Sequence, residues 1–113
     1  FIQSDLFDNL PHTDYKIIVS NPPYVASSEF KKLQPELSYE PMIALNGGKD
    51  GLFFIKRIIK EAPRYLSDGG WLFIEIGFGQ KGKINELFAK SSFREIQFVK
   101  DYQGIERIVI FRK

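Results

Sequence analysis

Two short runs carry residue types whose spacing could do chemistry. The first is Asn21-Pro22-Pro23-Tyr24. An amide or aromatic-amine nitrogen is a poor nucleophile because its lone pair is delocalised, so a site that alkylates one must hold both N–H groups and aim the lone pair. The Asn21 side-chain oxygen and the Pro22 carbonyl can each accept one N–H, drawing the nitrogen out of planarity toward an electrophilic methyl; that is orientation plus charge stabilisation. Prolines keep the backbone rigid and bring no competing donor. Tyr24 can lie flat on a planar amide or base, a contact worth on the order of 1 kcal/mol. The plain alternative is a turn that closes a strand, and the position directly after Ile17-Ile18-Val19-Ser20 favours the site.

The second run, Gly77-Phe78-Gly79-Gln80-Lys81-Gly82, is a literal G-x-G-x-x-G after an apolar run and before a helical pattern. Asp101 follows near the distance expected of a ribose-binding carboxylate. A dinucleotide fold needs further parallel units after the next strand, whereas here the chain turns back at Asp101-Tyr102-Gln103-Gly104-Ile105. The better reading is a flexible strand-to-helix turn beside the site. A noncatalytic nucleotide-binding module resting on Gly77, Gly79 and Gly82 stands as the alternative.

The elements that must position these runs belong to one domain or less: 113 residues, 43% hydrophobic, eleven of them Phe. The 16 Lys and Arg are interspersed with 14 Asp and Glu, which weighs against an electrostatic grip on nucleic acid. No apolar run approaches the roughly 18 residues of a membrane-spanning helix, so a soluble, cytoplasmic protein is expected. Without cysteine there is no disulfide and no thiolate metal site, and the single His12 builds no histidine cluster; no metal is expected. His12, ahead of Thr13-Asp14, reads as a solvated loop residue.

Tyr15 to Ser20 is a β-branched run with turn residues on both sides, the pattern of a strand. Pro22 restricts Asn21 to extended backbone, and neither proline offers an N–H, so the ladder must stop there. Between Val25 and Asp50, residues 28–33 suit two helical turns and the remainder reads as a binding loop or lid. Asp50 is suited to cap a helix with Leu52, Ile55, Ile59 and Ala62 on one stripe, widened by Phe53 and Ile58 and ended by Pro63. Ser67-Asp68-Gly69-Gly70 reads as a turn. The run from Trp71 to Ile76 suits a strand covered on both faces, with Trp71, Phe73 and Ile74 in the core. Residues 83–90 suit a helix with Ile84, Leu87 and Phe88 on one side. Residues 93–100 and 106–113 read as strands too closely connected for a crossover, hence an antiparallel hairpin, while the earlier strands should be parallel. Phe1-Ile2-Gln3 reads as the tail of a strand entered midway.

Asn-Pro-Pro-Tyr after such a strand resembles the motif of S-adenosylmethionine-dependent methyltransferases that modify amide or amino nitrogens. The tetrapeptide alone does not separate adenine, cytosine and glutamine methylases. The segments that accompany it do: Tyr24-Val25, then Tyr39-Glu40-Pro41, then Ala44-Leu45-Asn46-Gly47-Gly48-Lys49-Asp50-Gly51-Leu52, then Ile74-Glu75-Ile76-Gly77. In this order, over nearly the whole chain, they resemble the carboxyl-terminal half of the HemK/PrmC family, the glutamine methyltransferases of peptide chain release factors. The opening Gln3-Ser4-Asp5-Leu6-Phe7 is similar to the segment that lies by the cofactor's adenine in that family.

The resemblance implies an α/β fold, part of a class I S-adenosylmethionine-dependent methyltransferase sheet of Rossmann-like type ending in an antiparallel hairpin. The chain would supply strands four, five, seven and six and the end of three. It implies that residues 1–113 are the carboxyl-terminal part of one catalytic domain, the glycine-rich loop and ribose-binding acidic residue of the family lying before Phe1. Asn21 and Pro22 would be catalytic, holding the glutamine amide. Pro23 and Tyr24 would wall it, and Asp5, Leu6 and Asn21 would contact the cofactor. Leu6 stands where relatives carry an aromatic, which replaces stacking by simple apolar contact. Glu40 would order the loop over the substrate. The partner would be a release factor, with methylation of an adenine or cytosine base of DNA or RNA as the alternative. The strand from Tyr15 to Ser20 would be an open edge, so the chain alone is expected to self-associate or to be marginally stable. Without the family's glycine-rich loop and ribose-binding acidic residue it is expected to bind cofactor weakly and to be inactive.

Overall fold

A computed structural model describes residues 1–28 and 42–113 of the chain. The Ile17-Ile18-Val19 run forms strand β1, Tyr15–Ser20, and the ladder ends where Pro22 and Pro23 withdraw their donors. After the short helix α1, Met42–Leu45, comes α2, Phe53–Glu61, whose buried residues Ile55, Ile58 and Ile59 repeat at helical spacing. Pro63 lies in the 3-10 turn Ala62–Arg64 that ends it. Strand β2, Leu66–Glu75, helix α3, Lys81–Phe88, and strands β3, Glu95–Lys100, and β4, Glu106–Arg112, complete the order. The predicted helix at residues 28–33 and the Tyr39-Glu40-Pro41 segment lie outside the described residues, apart from Ser28.

The sheet runs β1-β2-β4-β3. β1 pairs parallel with β2, and β4 lies antiparallel to both β2 and β3, as the connection lengths require. Leu72 pairs with Phe111 and Ile74 with Val109, so these four side chains share a face. With Ile55, Ile58, Ile59 and Ile84 they form one core cluster, which places α2 and α3 on that same face. Phe111 is its aromatic centre, with the Phe93 ring 5.0 Å and the Phe88 ring 6.3 Å from it.

Several expectations are corrected. Trp71 and Phe73 point to the opposite face and are only half-buried, because the helices cover one side of β2; Trp71 instead carries the Arg112 guanidinium 5.2 Å from its ring. Ser67 to Gly70 is not a chain reversal but a bulge within β2: Tyr15 pairs with Leu66 and Ile17 with Trp71. The backbone of Lys113 receives the Gly69 N–H and donates to the Gly70 carbonyl, so turn-forming residues are held between two neighbours. Phe53 is exposed rather than part of the α2 stripe. Asp50 forms a turn before α2 instead of capping it: Leu52 occupies the cap position and its N–H bonds Asp50 Oδ1 at 3.1 Å. Phe1 to Gln3 is not a strand, and Phe1 and Ile2 are exposed. α3 begins at Lys81, earlier than residue 83, and β3 at Glu95, later than residue 93.

Candidate functional site

The Asn-Pro-Pro-Tyr run leaves the carboxyl end of β1 beside that of β2, where Ser20 pairs with Ile74. Open parallel sheets place their ligands at this edge. Asn21 is exposed and the Pro22 ring is buried. Asn21, Pro22 and Pro23 stand between two cavities, lining both. One, of about 780 Å³, is bounded on its far side by Asp5, Leu6 and Phe54. The other, of about 290 Å³, is bounded by Tyr24, Val25, Ala44 and Leu45. All six residues singled out from the sequence thus converge on one wall and its two sides.

Asp5 and Leu6 are presented by a tight turn in which the Asp8 N–H bonds the Asp5 carbonyl at 3.2 Å. Phe7 anchors this turn by stacking on Tyr65 at 4.8 Å. Leu6 adopts φ 51, a left-handed conformation rare for a leucine. The Asp5 carboxylate takes Arg57 Nη1 on both oxygens at 3.1 Å, and this bond raises the guanidinium above its usual pKa. The carboxylate is still largely exposed and retains lone pairs for a further donor.

The other end of the motif is held by residues to which the sequence reading assigned no role. The Tyr24 hydroxyl donates to Glu75 Oε1 at 3.0 Å. The buried Gln80 side chain donates to the Tyr24 carbonyl at 3.2 Å and to the Gly51 carbonyl at 3.1 Å, and accepts the Gly77 N–H at 2.9 Å. Glycines permit this approach: a methyl on Gly77 would lie 3.1 Å from the Tyr24 ring, and one on Gly47 would lie 2.8 Å from the Pro23 carbonyl oxygen. The signal in the sequence was faint: a polar residue closing a Gly-rich turn after a strand. Beyond Tyr24, the two ends of the long connection are stapled together, the Val25 N–H bonding the Leu45 carbonyl at 3.0 Å and the Gly47 N–H bonding the Val25 carbonyl at 2.9 Å.

The G-x-G-x-x-G run forms the expected strand-to-helix turn, with Gly77 packed under Tyr24 and Phe78 exposed. Asp101 is committed elsewhere: Oδ1 accepts the Gln103 and Ile105 N–H groups at 2.9 and 3.0 Å, and Oδ2 takes Arg107 at 3.2 Å, closing the β3–β4 hairpin. The strand that would follow in a dinucleotide fold is instead a hairpin partner, so this run is not favoured as a nucleotide site. His12 is exposed in the loop before β1, as read. Among the described residues, no group of three or more His, Asp or Glu side chains could hold a metal ion, and no helix is long and apolar enough to cross a membrane.

No protein-family model matches the chain. Along its whole length it is 44% identical to the release factor glutamine methyltransferase of Thermodesulfovibrio yellowstonii and 45% identical to that of Buchnera aphidicola subsp. Schizaphis graminum, covering 41% of each. The family resemblance holds along the entire chain. The corresponding protein of Fusobacterium nucleatum is 43% identical, with 32% of its length covered. The chain therefore spans about two fifths or less of the curated relatives it matches. The fold agrees: a protein-(glutamine-N5) methyltransferase (release factor-specific) from Alicyclobacillus acidocaldarius superposes with a TM-score of 0.55 at 29% identity, over 88% of this chain and 49% of that one. The α/β arrangement is thus part of a class I S-adenosylmethionine-dependent methyltransferase sheet, ending in an antiparallel hairpin.

Proposed function

We propose that this chain forms the acceptor-binding part of an enzyme that transfers a methyl group from S-adenosylmethionine to the side-chain nitrogen of a glutamine in a peptide chain release factor, in the cytoplasm. The observation that carries this reading is the placement of Asn21, Pro22 and Pro23 as the wall between two cavities. A transfer site needs its donor and acceptor pockets to meet, so that methyl and nitrogen approach to about 3–3.5 Å, and residues that line both pockets stand where they meet. Residues 1–113 form the carboxyl-terminal part of a single catalytic domain in this reading.

The larger cavity suits the cofactor: its volume of about 780 Å³ is within the usual range for small-molecule sites. Its lining combines the Asp5 carboxylate, an acceptor for an exocyclic amino group, with the apolar Leu6 and Phe54 against a flat ring. When bound there, S-adenosylmethionine supplies the electrophilic methyl. The smaller cavity takes the glutamine amide. Asn21 Oδ1 and the Pro22 carbonyl accept its two N–H groups, and Pro23 and Tyr24 wall it. As positive charge develops on the nitrogen in the transition state, both acceptors stabilise it more than they stabilise the ground state. A strong base is not required, since the nitrogen becomes acidic as it is alkylated.

The decisive experiment incubates the intact enzyme with labelled S-adenosylmethionine and either a release factor or DNA. Label is expected in a glutamine of the release factor. Label in DNA, with none in the protein, would turn the reading to base methylation. The 113-residue chain alone is expected to bind the cofactor very weakly by calorimetry, because it spans only about two fifths of the curated relatives it matches; micromolar affinity would contradict this. It is also expected to self-associate through β1, which among the described residues is an edge strand.

A further inference from the structure

We propose that Gln80 is a positioning residue for the acceptor site, an inference that rests on the function proposed above. Pro22 and Pro23 have no N–H, so the backbone from Asn21 to Tyr24 cannot be anchored through donors of its own prolines. The β1 ladder, where Ser20 pairs with Ile74, holds the run at its start, and at its far end the Tyr24 carbonyl is bound by Gln80 Nε2 at 3.2 Å.

The same amide reaches two further segments, the Gly51 carbonyl at 3.1 Å and the Gly77 N–H at 2.9 Å. Three segments separated in sequence thus meet on one neutral side chain that is only 9% exposed. A primary amide is the group that fits, with two donors for two carbonyls and an acceptor for one N–H. A carboxylate of the same shape would face both carbonyl oxygens without a proton to offer, and an apolar side chain would strand all three partners. Gln80 borders a third cavity of about 310 Å³ and does not line the proposed cofactor cavity. Its loss should displace the acceptor wall, which also lines the cofactor cavity, but Asp5, Leu6 and Phe54 on that cavity keep their places, so cofactor binding should weaken far less than turnover.

The test uses the intact enzyme with Gln80→Glu and Gln80→Met. Both are expected to lower kcat for methyl transfer to the release factor by about a hundredfold, the effect of a misplacement of about 1 Å. Calorimetry should give full cofactor stoichiometry and a Kd within about threefold of the unsubstituted enzyme. That split separates positioning from simple loss of fold, which would lower stoichiometry in step with kcat. Should Q80M not fold, Q80E keeps the volume and the acceptor for the Gly77 N–H and carries the test. The inference is overturned if kcat stays within about threefold, or if kcat and stoichiometry fall together. If the unsubstituted enzyme methylates no release factor, the function proposed above fails separately. Gln80 is then judged by NMR: Q80E should shift the Asn21 side-chain amide and the backbone amides of Tyr24 and Gly51 but not that of Val109. Unmoved Asn21 and Tyr24 signals overturn the positioning role.

Discussion

The Tyr24 hydroxyl donates a 3.0 Å hydrogen bond to Glu75 Oε1, tying the last residue of the Asn-Pro-Pro-Tyr run to the last residue of β2. The ring is thereby fixed against the neighbouring strand instead of swinging with the connection that follows it. Tyr24→Phe is expected to lower turnover of the intact enzyme about tenfold and to cost about 1 kcal/mol of stability. Glu75→Gln, which keeps an acceptor oxygen, should retain most of the activity. Steady-state methylation and urea unfolding of the two variants measure both effects.

Asn21 is exposed and borders both cavities, so its side chain is not part of the core. Asn21→Ala should reduce turnover by about a hundredfold or more, as does removal of one group that stabilises transition-state charge. The change in stability should remain within about 0.5 kcal/mol. Comparable losses in turnover and in folding would support a simple turn at this position.

Gly51 has φ +71, and a methyl there would overlap the Tyr24 carbonyl oxygen and lie 2.8 Å from Gln80 Nε2. Gly79 has a similar φ of +76 with nothing within 4 Å of the added methyl. Gly51→Ala should therefore cost about 3 kcal/mol or more, combining strain with a clash against backbone, and Gly79→Ala only about 1 kcal/mol. Thermal unfolding distinguishes them, and equal costs would mean that the close approach at Gly51 is absent in solution.

The Ile105 N–H, with help from Arg107 and the Gln103 N–H, holds the Asp101 carboxyl below its ordinary pKa despite some desolvation. Lys81 does the same for Glu106. A folded-state pKa below the unfolded value contributes stability above the unfolded value, about 3.9 for aspartate, and loses it as pH falls through the lower folded value. Urea midpoints should consequently decline as pH drops below about 4, and Asp101→Asn should flatten that decline. An unchanged acid limb in the variant would remove Asp101 from the account.

Ile17 and Val19 project from β1 and are 58% and 75% exposed, and among the described residues β1 pairs with β2 alone. The 113-residue chain is expected to sediment as a mixture of associated species. Val19→Lys should shift it toward monomer, since a charge on an edge strand opposes pairing with another chain. A stable, dilute monomer of the unsubstituted chain would refute the edge as an association surface.

Local patterns were enough to read β1, α2, the β3–β4 hairpin and the chemistry available to Asn21 and Pro22. Each depends on neighbours in sequence: a β-branched run ended by prolines, apolar residues three and four apart, a connection too short to cross over. The order of motifs from Asp5 to Gly77 likewise carried the family resemblance without coordinates. Tertiary structure alone decided the features that depend on partners far along the chain. Tyr24 meets Glu75 across 51 residues and Gln80 across 56, contacts that no local spacing encodes. Whether Ser67 to Gly70 turned or bulged depended on backbone supplied by β1 and Lys113 on either side. That Trp71 and Phe73 leave the core, while Leu72 and Ile74 enter it, followed from both helices packing on one face of the sheet. Asp101, near the distance of a ribose-binding carboxylate in sequence, instead accepts the Gln103 and Ile105 N–H groups, because the hairpin brings them within 3.0 Å.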